Sequence, residues 1–121
     1  MKASELMIGD MIRQSNSGLL LQVSCIQPPY ITAVDEEGQF HEDTIEPIPL
    51  TAEILRKNGV PKHSLMGEQC HFIYWVWGID LLAIYDADFS FRIGDAARKV
   101  KYVHQLQHIL RLCGIDKEIT L

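Results

Sequence analysis

Lys101-Tyr102-Val103-His104-Gln105-Leu106-Gln107-His108-Ile109-Leu110-Arg111-Leu112-Cys113-Gly114 is the stretch on which the architecture turns. At about 100° per residue, Tyr102, Val103, Leu106, Ile109, Leu110 and Cys113 fall within one arc of about 120°, with Lys101, His104, Gln107, His108 and Arg111 opposite. The spacing predicts an amphipathic helix over 102–113, its apolar stripe laid on a sheet and its other side solvated. Gly114 stands where a glycine ends a helix, and Ile115 where the accompanying apolar contact is made.

The sheet expected beneath it is an antiparallel meander of strands at 70–77, 81–85 and 89–93, with turns at Gly78-Ile79-Asp80 and Asp86-Ala87-Asp88. Seven of the ten aromatic residues fall between positions 72 and 91, so the apolar mass of the chain is concentrated there. In the first of these strands Phe72, Tyr74 and Val76 share one face, and Ile73, Trp75 and Trp77 share the other. Both faces are apolar. The strand is therefore either covered twice within the fold or presents one side to a partner, which makes Trp75 and Trp77 a candidate protein interface.

Upstream, the chemistry is that of short strands and tight turns. A strand at 11–14 follows Gly9-Asp10, and Asn16-Ser17-Gly18 reads as a hairpin turn into a strand at 19–26. Pro28-Pro29 ends that strand, 30–34 makes another, and Glu36-Glu37-Gly38 turns into 39–41. The segment 45–50 carries Pro47 and Pro49 and so reads as an edge strand. Thr51 as N-cap, Glu53 in the first turn and Gly59 after Lys57-Asn58 bound a short helix over 52–58. A weak final strand is expected at 118–121. The sum is an α+β chain and one compact domain over 1–121. It has a small SH3-like barrel in 1–50, then a short helix and a meander covered by the C-terminal helix in 51–121.

Length and composition agree with a single folded unit. The 121 residues are 47% hydrophobic, which supplies one core, and eight Gly with five Pro exclude collagen-like or low-complexity sequence. Cys25, Cys70 and Cys113 are odd in number and widely spaced, as expected of buried thiols in a reducing cytoplasm rather than of a disulfide framework. Glu5, Asp10 and Arg13 interrupt any export signal. The apolar run 72–85, broken by Gly78 and Asp80, is too short to span a bilayer, so no membrane association is expected.

Motifs for chemistry are sparse. His104 and His108 are one helical turn apart, the spacing of half a metal site. Lys101 and Arg111 lie on the same side, no Glu follows His104, and Cys70-His71 could add at most one ligand because adjacent strand residues face opposite ways. Neither metal nor cofactor is expected, and the pair reads as part of a solvated face. Acidic residues cluster at Asp35-Glu36-Glu37, at Glu42-Asp43 with Glu46, and at Asp80, Asp86 and Asp88, where turn formation and protected sheet edges account for them. An enzyme would show itself through His41, Glu42 and Asp43 converging in a pocket. No nucleophile elbow or phosphate-binding glycine loop supports that reading.

Charge is polarised along the chain. The net charge is −5, yet residues 89–115 carry Arg92, Arg98, Lys99, Lys101 and Arg111 against Asp95 alone. Arg98, Lys99, Lys101 and Arg111 are therefore candidate nucleic-acid contacts, set against the plainer role of a rim around the apolar stripe.

Three stretches carry a resemblance: Lys2-Ala3-Ser4-Glu5-Leu6 with Ile8-Gly9-Asp10; Pro47-Ile48-Pro49-Leu50-Thr51 with Glu53-Ile54-Leu55 and Lys57-Asn58-Gly59; and Lys101 to Gln107 leading to Leu110-Arg111-Leu112-Cys113-Gly114-Ile115. Together they resemble a family of small uncharacterised proteins from Bacteroides-type gut bacteria and their phages or mobile elements. The resemblance implies a cytoplasmic or phage-encoded setting and assigns no catalytic position. The resulting expectation is a noncatalytic protein-interaction or structural module whose partner is itself or another protein. A nucleic-acid-binding accessory protein is the alternative.

Overall fold

In the computed structural model the described residues are 1–60, 62–64, 72–75, 82–85, 90–93, 96–115 and 119–121, with side chains described for 1–60, 99–115 and 119–121. They form two compact units, Met1–Pro49 with Tyr102–Lys117, and Leu50–Lys101 with Glu118–Leu121.

The first unit is built on β1 (Met11–Gln14), β2 (Leu20–Gln27), β3 (Tyr30–Ala33), β4 (Phe40–His41) and β5 (Ile45–Pro47), in the order β4-β3-β2-β1-β5. Short 3-10 turns, η1 (Ala3–Glu5) and η2 (Glu42–Thr44), precede β1 and β5. The hairpin expected at Asn16-Ser17-Gly18 joins β1 to β2, and Gly18 donates to the Gln14 carbonyl at 2.9 Å. β5 returns antiparallel to the far side of β1 and places Glu46 opposite Arg13, an ion pair of 2.6 Å. β4 and β5 are the two edges, so the hydrogen-bonded sheet does not close on itself.

Register sorts the apolar residues onto one face. Ile12 faces Leu21 and Val23 faces Ala33 across the ladders. The pairing shifts between Val23 and Cys25, leaving Ser24 as the extra residue. This bulge lets Ile26 follow Val23 onto the inner face, where strict alternation would have turned it outward. The core holds Ala3, Leu6, Ile12, Leu21, Val23, Ile31, Ala33 and Ile45, with Ile26 and Phe40 packed against it.

The predicted C-terminal helix is present as α2 (Val103–Leu112) and belongs to the first unit. The sequence reading laid this helix on the meander; within its own unit it is grouped with the first sheet. Its start is tied to the β5 end of the sheet: Val103 donates to the Ile48 carbonyl at 2.9 Å, and Tyr102 bridges Pro49. Its end is closed by Gly114 donating to Arg111 and Ile115 to Leu110, the paired bonds of a Schellman stop.

The second unit has α1 (Ala52–Lys57) and a sheet of β6 (Lys62–Ser64), β7 (Phe72–Trp75), β8 (Leu82–Tyr85), β9 (Ser90–Ile93) and β10 (Ala96–Lys99), each antiparallel to the next. The meander is thus two strands longer than the sequence reading, which left out β6 and β10. Residues 119–121 are not a strand, contrary to expectation. They are held instead by the Asn58 side chain, which donates to the Thr120 carbonyl at 2.9 Å and accepts from its N–H at 2.6 Å. The chain is α+β. Among the described residues no helix is long and apolar enough to cross a membrane.

Candidate functional site: a buried aspartate gripped by the C-terminal helix

The turn entering β1 is made by Met7-Ile8-Gly9-Asp10. The Asp10 N–H donates to the Met7 carbonyl at 3.1 Å, and the Asp10 carboxylate accepts the Met7 N–H at 2.8 Å, so one residue closes the turn from both ends. Gly9 has φ +93°, and a Cβ placed on it would stand 3.0 Å from Arg111 Nη2. Backbone bonds from Gly9 to the Val23 carbonyl (2.7 Å) and from Val23 to the Asp10 carbonyl (2.9 Å) stitch the turn to β2.

Asp10 is fully buried, 0% exposed. An isolated carboxylate there would cost several kcal/mol, and the structure offsets that with donors from α2. Arg111 Nη1 donates to Oδ1 at 2.8 Å, and His108 Nε2 lies 2.6 Å from Oδ2. The His108 contact is placed for a charged carboxylate to accept from a protonated Nε2. One turn away, the Gln107 side-chain oxygen accepts the Met11 N–H at 2.9 Å while its nitrogen donates to the Gly9 carbonyl at 3.3 Å. Four side-chain bonds thus fasten α2 to residues 9–11, some hundred positions earlier in the chain.

His104 completes the cluster. It is buried, stacked on Tyr102 (centroids 5.8 Å apart, planes 11° apart) and edge-on to His108 at 5.5 Å. Its Nδ1 has no hydrogen-bond partner among the described residues. Burial pushes the His104 pKa below histidine's ordinary value. The Asp10 charge opposes this shift, His108 adds to it, and Glu5 also opposes it.

This geometry corrects the solvated-face reading of the helix. Buried positions on α2 are Val103, His104, Leu106, Gln107, Ile109 and Leu110. They span about 220° of the wheel, where apolarity alone spans about 120°. His104 and Gln107 are inside, and His108 and Arg111 are half-buried on Asp10. Asp10 and Gln107 were missed as site residues. The available signal was the Gly9-Asp10 pair itself, a turn needing a positive φ followed at once by a carboxylate entering a strand.

The other candidates lie elsewhere. Trp75 is in β7, its backbone opposite Ala83, and Trp77 lies outside the described residues, as do Cys70, His71 and the turns at 78–80 and 86–88. Arg98 and Lys99 lie in β10 opposite Phe91 and Ser90. Lys99 and Lys101 are exposed, and Arg111 is committed to Asp10. Glu42 accepts the Ala3 N–H at 2.9 Å, while Asp43 is exposed beside His41 at 3.4 Å. Cys25 is exposed and Cys113 half-buried, which corrects the expectation of buried thiols for Cys25. Among the described residues no group of three or more His, Cys, Asp or Glu side chains could hold a metal ion. Comparison with family models, curated proteins and solved structures finds no match to this chain.

Proposed function

We propose that this protein is a noncatalytic interaction module that docks another protein through the surface beside the Asp10 clasp. The observation that carries the reading is a contrast in how side chains are used. The polar groups that converge on Asp10 bind one another and the backbone, a structural use of charge, whereas large apolar side chains at the rim face water. Ile8, in the clasped turn, is 66% exposed, and Leu112, one turn beyond His108 on the same side of α2, is 87% exposed. Exposed apolar side chains anchored on rigid elements are what a protein partner uses. The strand order β4-β3-β2-β1-β5, with a 3-10 turn before β5, supports an SH3-like arrangement of the first unit, a scaffold often used for binding. Trp75 and Trp77 would supply a second contact. A cytoplasmic setting in a phage or mobile element accords with the sequence resemblance.

Site-specific photo-crosslinking in the native host tests this. A crosslinker at Ile8 should capture one discrete protein, and Leu112→Asp should abolish the capture while a crosslinker at exposed Glu53 gives none. Absence of a discrete product at Ile8, or its survival in Leu112→Asp, removes the reading. The alternative, a nucleic-acid-binding accessory protein, is favoured by the exposed Lys99 and Lys101 next to Arg98. It loses Arg111 to the clasp. Retention of DNA or RNA in a gel shift at low salt that disappears as salt rises would establish it in place of the protein reading.

A further inference from the structure

His104 contributes no hydrogen bond through Nδ1 to the clasp it sits in, yet it occupies the clasp's interior. We propose that α2 is a proton-released clasp, in which protonation of His104 lifts the polar side of the helix from the Met7–Asp10 turn.

The geometry carries this. The imidazole is 5% exposed, covered by Tyr102 on one face and in edge contact with the His108 ring, and Nδ1 has no hydrogen-bond partner among the described residues. A proton added to Nδ1 would leave a buried N–H unmet and a buried charge unpaired. Among the described residues, the charged and titratable groups around the ring are Tyr102 stacked on it, Asp10 from the turn, Glu5 from η1, His108 on α2 and, through Asp10, Arg111. Asp10 already accepts from Arg111, His108 and the Met7 N–H, so its lone pairs are largely used. Glu5 is exposed and hydrated. The new charge is best relieved by opening, which returns His104 to water.

Burial keeps the docked His104 neutral to lower pH than the free side chain, so the open form binds the proton more readily. Docking strength is therefore constant well above histidine's ordinary pKa of about 6.5, falls as pH drops through that value, and levels off below the pKa of the docked form. The clasp needs no partner to operate.

The test is amide-exchange protection of the full chain at pH 7.5 and pH 5.5, corrected for the intrinsic pH dependence of exchange. The Met11 amide, which donates to Gln107, is the reporter. Its protection should fall several-fold at the lower pH, bounded near tenfold because one proton over one pH unit below 6.5 supplies no more. His104→Phe should abolish that loss, and His104→Gln serves the same comparison if the phenylalanine variant does not fold. An unchanged wild-type protection, an equal loss in the variant, or a His104 resonance titrating at or above 6.5 overturns the proposal.

Discussion

The two helices end alike and differ along their sides. α1 is capped by Thr51, whose hydroxyl accepts the Ile54 N–H at 3.2 Å, and stops with Gly59 donating to Arg56 and Val60 to Leu55. α2 opens with the Tyr102 N–H on the Gln105 side chain at 3.2 Å and stops by the same paired bonds, from Gly114 and Ile115. Yet α1 buries Leu55 alone and leaves Glu53, Arg56 and Lys57 in water, whereas α2 buries six residues, two of them polar. Helix termini are local chemistry within four or five residues. Which side of a helix is dry depends on what the rest of the chain offers it, and here a buried carboxylate turns a polar side inward.

The sharpest way to break this contrast is to remove one arginine from each helix. Arg111→Met leaves a fully buried carboxylate without its guanidinium and should destabilise the first unit by about 3–5 kcal/mol in urea unfolding. A change below 1 kcal/mol would mean that the clasp is decorative. Next in size, Gly9→Ala forces an alanine into a left-handed conformation and crowds Arg111, at about 1–2 kcal/mol, with faster exchange of the Met11 amide as its signature.

Thr51→Ala should cost about 1 kcal/mol and be read as loss of amide protection confined to α1, since only a cap is lost. The smallest effect is expected for Arg56→Ala. Its pairing with Glu53 is loose, at 3.8 Å between two highly exposed side chains, and the unfolding free energy from urea titration should change by no more than about 0.5 kcal/mol. If Arg56 and Arg111 proved equivalent, the two helices would not differ as described.

Much of the architecture was legible from residues alone. β1 at 11–14, the Asn16-Ser17-Gly18 turn, the proline-marked edge at Pro47 and both glycine stops follow from turn and strand chemistry that acts over a few residues. β10 was not legible because Ala96-Ala97-Arg98-Lys99 is made of helix-favouring residues. Pairing with β9 overrides that preference. Of the candidate site, the His104 and His108 spacing was visible, but its meaning was not. A hydropathy wheel assigns polar residues to water and has no means of representing an Asp10 that arrives from ninety-odd residues away.

The first unit is also discontinuous along the chain, with the whole of β6–β10 inserted between Pro49 and Tyr102. On the ribosome, residues 1–49 therefore emerge long before the arginine and glutamine that secure their first strand. Throughout that interval Asp10 must remain hydrated, and the N-terminal sheet is a half-finished object waiting for its last segment. Vectorial synthesis ordinarily lets amino-terminal units mature first. In this molecule completion of the amino-terminal sheet waits for the synthesis of α2, whose first residue, Val103, lies far beyond the last of β5, Pro47, which makes nascent-chain length the natural variable along which its assembly unfolds.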